Sequence, residues 1–233
     1  MRTIDATQGV RILDSRSTAS LLSKVLWITT AGFLFTALGA YLAPALMGGI
    51  PYIGLFILTF GLIFAISFAS RRSPGLALVL FYAFTILMGV EIGPLLKAYL
   101  HFPGGEVVVF EAALTTALGM FAMGVIAQIV HFDYRRLYNY AFAALLGLIV
   151  IGVIGMFVHF VSPGLYAWAT LAIFSMLLLV DFMRLRDGAQ GLSPVQMALS
   201  IYLDALNIFI ALLQIFGSSS GNNGGGRSSS RWS

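Results

Sequence analysis

The apolar residues of this chain occur in long runs that contain almost no charge. Residues 25–70 and 137–180 contain no Asp, Glu, Lys or Arg. An α-helix rises about 1.5 Å per residue, so about 20 apolar residues cross the hydrocarbon layer and each stretch holds two crossings. Charged residues, glycine and proline divide the chain into seven apolar segments. They are residues 24–43, 51–69, 75–96, 107–130, 138–160, 165–183 and 195–216.

The pattern within these segments favours helices over the strands of a barrel. Lipid offers the backbone no hydrogen-bond partner, so only helices or a closed barrel cross a membrane. The apolar run at residues 145–158 lacks the alternation of a barrel strand. We therefore predict an all-α membrane domain at residues 24–216, preceded by a cytoplasmic segment at 1–23. Residues 217–233 are rich in Gly and Ser and are expected to form a disordered tail.

Composition supports a membrane protein and gives little sign of catalysis. The chain is 59% hydrophobic and 9% charged, whereas soluble domains are roughly 25% charged. It contains no cysteine, which excludes disulfides and thiolate zinc sites. His101, His131 and His159 show no metal-ligand spacing, and phosphate-loop and G-x-S-x-G motifs are absent from the sequence. We expect no enzymatic activity and no cofactor.

The basic residues predict the orientation in the membrane. They cluster before the first segment and after the second, fourth and sixth, whereas the intervening connections carry only Lys97. The positive-inside rule then places the N-terminus in the cytoplasm. Two arginines in the tail cannot decide whether the seventh segment spans or re-enters. Basic residues scattered beside apolar spans indicate topology signals and a lipid bilayer as partner, not nucleic acid.

Two aspartates, Asp181 and Asp204, lie inside the last two apolar segments. A carboxylate in the hydrocarbon layer costs roughly 2.5–3.5 kcal/mol, so such residues usually face a protein interior or an aqueous path. A short connection at residues 187–194 predicts antiparallel helices, and the helical rise puts both carboxylates about 10–15 Å from the turn. Close carboxylates resist double ionisation and titrate as a unit. They are therefore a candidate pH sensor and a candidate metal site for Ca²⁺, completed by carbonyls or water.

Each aspartate also has a simpler interpretation. Arg184 follows Asp181 by three residues, a spacing that allows an interfacial salt bridge on one helical face. Asp204 has no nearby charge in its segment, but Ser200, Asn207 and Gln214 lie on the same helical face. This polar stripe indicates a helix enclosed by the bundle.

A second set of carboxylates lies near the predicted outer side, at Glu91, Glu106 and Glu111. These residues predict either an outer vestibule that concentrates cations or ordinary carboxylates at the headgroup level. Gly89 and Gly93 form a G-x-x-x-G pattern that permits close helix packing.

The C-terminal sequence resembles a known family. Residues 201–216, IYLDALNIFIALLQIF, resemble the C-terminal signature of the transmembrane Bax-inhibitor-motif family. Asp181 followed by Arg184 resembles the family's sixth-helix aspartate with a basic residue one turn later. The resemblance is strong over segments six and seven, looser elsewhere, and is that of a bacterial-type member.

The resemblance implies a seven-helix fold in which six helices surround the C-terminal one. It also implies a pH-sensitive Ca²⁺ leak controlled by a paired-aspartate sensor, here Asp181 and Asp204. An arginine ending the second helix acts as a latch in the family, and Arg71 or Arg72 occupies that place. Residues 51–69 contain no acid, unlike some members, so a role needing a second-helix carboxylate is not expected.

The leading hypothesis is a pH-modulated Ca²⁺ leak channel in the bacterial inner membrane, with Ca²⁺ and protons as its ligands. The alternative is a non-conducting membrane interaction protein that modulates a protease or a stress or cell-death pathway through membrane protein partners. A proton-coupled transporter is disfavoured, because no pair of interrupted segments marks an inverted repeat.

Overall fold

Seven α-helices form the part of the chain that the computed structural model describes, which comprises residues 6–46, 52–131, 133–155, 158 and 162–222. No strand occurs in these ranges. The helices are α1 (Ala6–Leu46), α2 (Tyr52–Ala69), α3 (Pro74–Leu100), α4 (Gly105–Ile129), α5 (Tyr134–Gly155), α6 (Pro163–Arg186) and α7 (Pro194–Asn222), with a short 3-10 turn at Ala189–Gly191 before α7. The predicted all-α fold is confirmed.

Several helices begin at a Ser-Pro pair, which explains their boundaries. α3, α6 and α7 each start at a proline preceded by serine, because proline fits the first helical position and lacks the amide hydrogen that would be unpaired there. At α7 the cap is reciprocal. The Ser193 amide donates to Gln196 Oε1 at 3.0 Å, and the Gln196 amide donates to Ser193 Oγ at 3.2 Å. This capping box pairs two amide hydrogens that the helix itself leaves unbonded.

The ends of the chain are more helical than expected. α1 begins at Ala6, inside the segment predicted to precede the membrane domain. α7 continues to Asn222, so the coil predicted from residue 217 is wrong over its first residues. A helix that is already formed adds one hydrogen bond for each further residue, which lets it extend into weakly favourable sequence. Residues 1–5, residues 223–233 and His159 lie outside the described residues.

Six of the described helices are long and apolar enough to cross a membrane. The exception is α2, whose apolar stretch Ile53–Ala69 is shorter. Burial separates the six: 61% of the apolar stretch of α7 is buried, against 11% for α4 and for α5. Among these six helices, α7 has the most buried apolar stretch.

Two compact units make up the chain, and several helices pass from one to the other. The first comprises Met1–Pro94, Ala127–Val130 and Asp181–Leu203, and the second comprises Leu95–Ile126, His131–Val180 and Asp204–Ser233. In the first unit α1 and α3 approach at glycines. A Cβ on Gly39 would overlap the Ile86 carbonyl, and one on Gly89 would overlap the Thr36 carbonyl. The predicted G-x-x-x-G close packing therefore occurs within the chain, between α1 and α3.

Candidate functional site

Asp181 is a buried carboxylate near the C-terminal end of α6, in the first unit. Only 2% of the surface of Asp181 is exposed. Arg184 Nη1 lies 3.3 Å from Asp181 Oδ1, one helical turn further on, and the Ser200 hydroxyl of α7 also hydrogen-bonds the carboxylate. The local ion pair is thus present, but its carboxylate is enclosed by protein and is not at a solvated surface. Ser200, which was predicted to belong to a polar stripe, is one of the hydrogen-bond partners of Asp181.

The arginines at the end of α2 do not make the contact predicted for a latch. Arg71 and Arg72 are both exposed. The Arg72 guanidinium carbon lies 4.5 Å from the centre of the Phe68 ring, a cation–π contact between the turn after α2 and the last residues of α2. The guanidinium that binds Asp181 in this conformation belongs to Arg184. The reason is distance along the helix: a partner one turn away reaches the carboxylate without crossing between helices.

Asp204 is buried in α7 and belongs to the second unit, where its residue is 6% exposed. Asn207 and Gln214 are half-buried and follow it at spacings that keep them on one face of the helix. The burial predicted for Asp204 is therefore present. Asp181 and Asp204 fall in different units, so their pairing stays a prediction.

Metal coordination also stays a prediction for these aspartates. Within the described residues, no group of three or more His, Asp and Glu side chains could hold a metal ion. Two carboxylates provide at most four oxygens, whereas Ca²⁺ takes six to eight. A cation bound there would need backbone carbonyls or water to complete its shell, as the sequence predicted.

The outer carboxylates are distributed over both units. Glu91 lies in the first unit, where Thr59 of α2 donates a hydrogen bond of 2.5 Å to its Oε1 atom. Glu106 and Glu111 lie in the second unit and are exposed on α4. The vestibule formed by all three remains a prediction. What the structure adds is a polar contact between α2 and α3 at Glu91.

Tyr202 is a buried polar residue whose role the sequence did not reveal. It is 0% exposed, and its hydroxyl lies 2.6 Å from Thr36 Oγ1. Because Thr36 donates its own hydrogen to the Gly32 carbonyl at 3.0 Å, Tyr202 is the donor. The rings of three phenylalanines surround it at centroid distances of 5.1, 5.8 and 6.0 Å: Phe33, Phe81 and Phe84. Its position two residues before Asp204 is the sequence feature that could have indicated its burial.

The sequence indicated only a topology signal for Arg186, but its side chain also donates hydrogen bonds to backbone carbonyls. Its Nη1 atom donates to the carbonyls of Ala127 at 2.5 Å and Val130 at 2.8 Å, and its Nε lies 2.8 Å from Asp187 Oδ1. The two carbonyls lie at the C-terminal end of α4, where helical carbonyls lack partners and the helix dipole favours a cation. The side chain therefore caps α4 from the end of α6.

The chain is similar to a described family and to bacterial proteins. Residues 18–221 match the family described as "Inhibitor of apoptosis-promoting Bax1". An uncharacterized protein of Pseudomonas aeruginosa is 26% identical over 215 residues, which cover 91% of this chain and 95% of that protein. An uncharacterized membrane protein of Streptococcus pyogenes is 32% identical over 174 residues, which cover 71% of this chain and 74% of that protein.

The match extends well beyond the two C-terminal segments that carried the resemblance. It begins in α1 and ends in α7, so it includes all seven helices. With its long apolar helices and its buried helix α7, the chain is an integral membrane protein and belongs to the Bax inhibitor family.

Proposed function

We propose that this protein is a pH-sensitive Ca²⁺ leak channel and that Asp181 is central to its control. The observation that carries the proposal is a carboxylate at 2% exposure inside an apolar span, held by a guanidinium and a hydroxyl. Ionisable groups at such positions are costly and are found where ions or protons move. The proposal also places the protein in the bacterial inner membrane with its N-terminus in the cytoplasm, because basic residues follow the second, fourth and sixth helices.

The contact between Arg184 and Asp181 explains how protonation would act. A charge-assisted hydrogen bond needs an ionised carboxylate, so protonating Asp181 weakens its bond to Arg184. A hydrogen bond to a charged group contributes about 1.5–3 kcal/mol. An energy of that size shifts the populations of two conformations without unfolding the protein.

Asp204 is proposed as the second carboxylate of the sensor. This pairing rests on the sequence, in which a short connection sets Asp181 and Asp204 at similar heights from the turn. Protons and Ca²⁺ compete for the same oxygens. Ca²⁺ affinity at the pair should therefore fall as the pH is lowered through its titration.

The proposal is tested with purified protein in liposomes that contain a Ca²⁺-sensitive dye. The parent should conduct Ca²⁺ with a rate that changes between pH 6 and 8, and Asp181→Asn should conduct with a flattened pH profile. Asp133→Asn is the matched control, because Asp133 is exposed and asparagine keeps its cap on α5.

Absence of flux from the correctly folded parent would contradict the channel proposal. Retained binding of a membrane protein partner in the same preparation would then support the non-conducting interaction protein. Proton-driven accumulation of Ca²⁺ would instead indicate a transporter.

A further inference from the structure

A cavity of about 630 Å³ lies at one end of the second unit. It forms where α3 ends, α4 and α6 begin, and α7 approaches its end. Four of its ten described lining residues are aromatic or proline, three are glycine, and Gln214 contributes an amide; the four are Tyr99, Phe102, Pro103 and Pro163. These helix ends are opposite to the ends that carry the paired arginines, so the cavity lies on the side predicted to be outside.

Gln214 of α7 is one of the residues that line this cavity. Asp204, Asn207, Gln214 and Ser218 recur at helical spacings that place them on one face of α7. Asp204 lies ten residues before Gln214, which corresponds to about 15 Å along the helix. The polar face that contains the buried aspartate therefore ends in the cavity.

The lining suits passage better than binding. Among the described residues, no charged side chain lines the cavity, so they do not supply the carboxylates that a Ca²⁺ site needs. The space of about 630 Å³ is large enough for several water molecules, and Gln214 and Ser218 supply polar groups to which water can hydrogen-bond. Ions cross a channel only where binding is weak enough for release.

We propose that this cavity is a hydrated port through which cations reach the polar face of α7 from the outer side. The inference rests on the proposed function, because it names the entrance of that ion path. Glu106, exposed next to the cavity residue Gly105, adds a carboxylate near the rim, which raises the local cation concentration.

Two close contacts shape the port. A Cβ on Gly217 would overlap the Tyr99 ring, and one on Gly105 would overlap the Tyr99 carbonyl. Tyr99 thus forms a wall whose position requires glycine on both sides. Deeper along the same face of α7, Ala211 is 1% exposed and lies between Asn207 and Gln214. This small residue marks the point where a bulkier side chain would block the path.

The absence of cysteine permits a direct test by thiol labelling. Gln214→Cys should react with a membrane-impermeant cationic methanethiosulfonate added from outside, at a rate within about tenfold of His101→Cys, which is in an exposed turn. Leu118→Cys is the matched negative control, since Leu118 is 60% exposed on α4 and faces the lipid. If the Gln214→Cys protein reacts only with a neutral, membrane-permeant maleimide, lipid fills the cavity, and if it reacts with neither reagent, the cavity is closed. Either result overturns the port.

A second measurement separates failure of the port from failure of the channel. Attaching the cationic adduct at residue 214 should reduce Ca²⁺ flux at least fivefold, and Ala211→Phe should do the same while leaving the labelling of the Gln214→Cys thiol unchanged. Labelling without any flux in the parent would refute the channel and leave the port as a hydrated cavity. Flux that is unaffected by the adduct would show that the cavity is not on the ion path.

Discussion

Asp181 is the residue at which burial and charge conflict most directly. An ionised carboxylate at 2% exposure is tolerated because Arg184 and Ser200 both bind it. If Arg184 is replaced, Ser200 still binds the carboxylate, and if Ser200 is replaced, Arg184 still binds it. The identity of the guanidinium is therefore a question that substitution can answer.

Arg184→Ala should raise or lower the basal Ca²⁺ leak at pH 7–8 by about tenfold or more. A free-energy change of about 1.4 kcal/mol shifts a population tenfold, and the loss of the ion pair to the buried Asp181 costs more than that. Arg71→Ala and Arg72→Ala, alone and together, should leak like the parent, because both residues are exposed. The measurement is dye-reported flux in liposomes with matched protein insertion. If a loop arginine alters flux and Arg184→Ala does not, the latch lies at the end of α2 as the family resemblance implies.

Asp204→Asn should change or abolish the pH dependence of flux. Asparagine keeps the size of the side chain and removes one titrating group, so Asp181 would titrate without a second carboxylate to repel its charge. Flux should be followed from pH 6 to 8 beside Asn207→Asp, which adds a carboxylate on the same face of α7. A pH profile of Asp204→Asn identical to that of the parent would rule out the paired sensor.

Tyr202→Phe should destabilise the fold by about 1 kcal/mol, because it removes the hydrogen bond to Thr36 and keeps the ring packing. Tyr202→Ala should cost about 3–5 kcal/mol through the cavity it creates. Tyr140→Phe, at a residue 75% exposed, should have no effect. Thermal unfolding in detergent gives the comparison. Equal stability of Tyr202→Phe and the parent would show that the hydroxyl bond adds nothing.

At the level of helices, the contact between α1 and α3 depends on glycine. Gly89→Ala should destabilise by about 1–3 kcal/mol, since the new Cβ would overlap the Thr36 carbonyl and the helices would have to separate. Gly61→Ala is the control in α2, where an added Cβ meets no atom of a described residue within 4 Å. Unfolding midpoints in one detergent compare the two. A Gly89→Ala protein as stable as Gly61→Ala would mean that the two helices tolerate separation.

The existence of the helices was predictable, whereas their ends were less so. The apolar runs located all seven helices, because a backbone in lipid must form its hydrogen bonds internally and few structures allow this. α1 and α7 extend further than the apolar pattern indicates, since the pattern reports contact with lipid and not helix length. The Ser-Pro pairs at Ser73, Ser162 and Ser193 were the unused signal for the starts of three helices.

At the scale of the whole molecule, the number of crossings decides where the C-terminus lies. α7 is one continuous helix over Pro194–Asn222, which favours a full crossing over re-entry. If α2 also crosses, there are seven crossings and the two termini lie on opposite sides. A reporter fused at the C-terminus should then be active only outside, and one fused at the N-terminus only in the cytoplasm. Both reporters in the cytoplasm would mean six crossings and would favour a seventh segment that re-enters, because the arginines after α2, α4 and α6 then stay on the cytoplasmic side.

The burial of the two aspartates could be predicted, but the long-range contacts of other polar residues could not. Asp181 and Asp204 stood out because charge is rare in this chain, and Arg184 was recognised from its helical spacing. The contact of Arg186 with carbonyls of α4, and that of Tyr202 with Thr36, join residues far apart in sequence. Periodicity indicates which face of a helix is polar, not which distant backbone or side chain that face meets.

The cap that Arg186 places on α4 has a mechanical consequence. Its two hydrogen bonds to the carbonyls of Ala127 and Val130 join the C-terminal ends of α6 and α4, which are not consecutive helices. Asp181 lies little more than one helical turn before Arg186, so a displacement of α6 at this point would be expected to shift the C-terminal end of α4. Under the proposed function, we expect this end of α4 to move when Asp181 changes its protonation state.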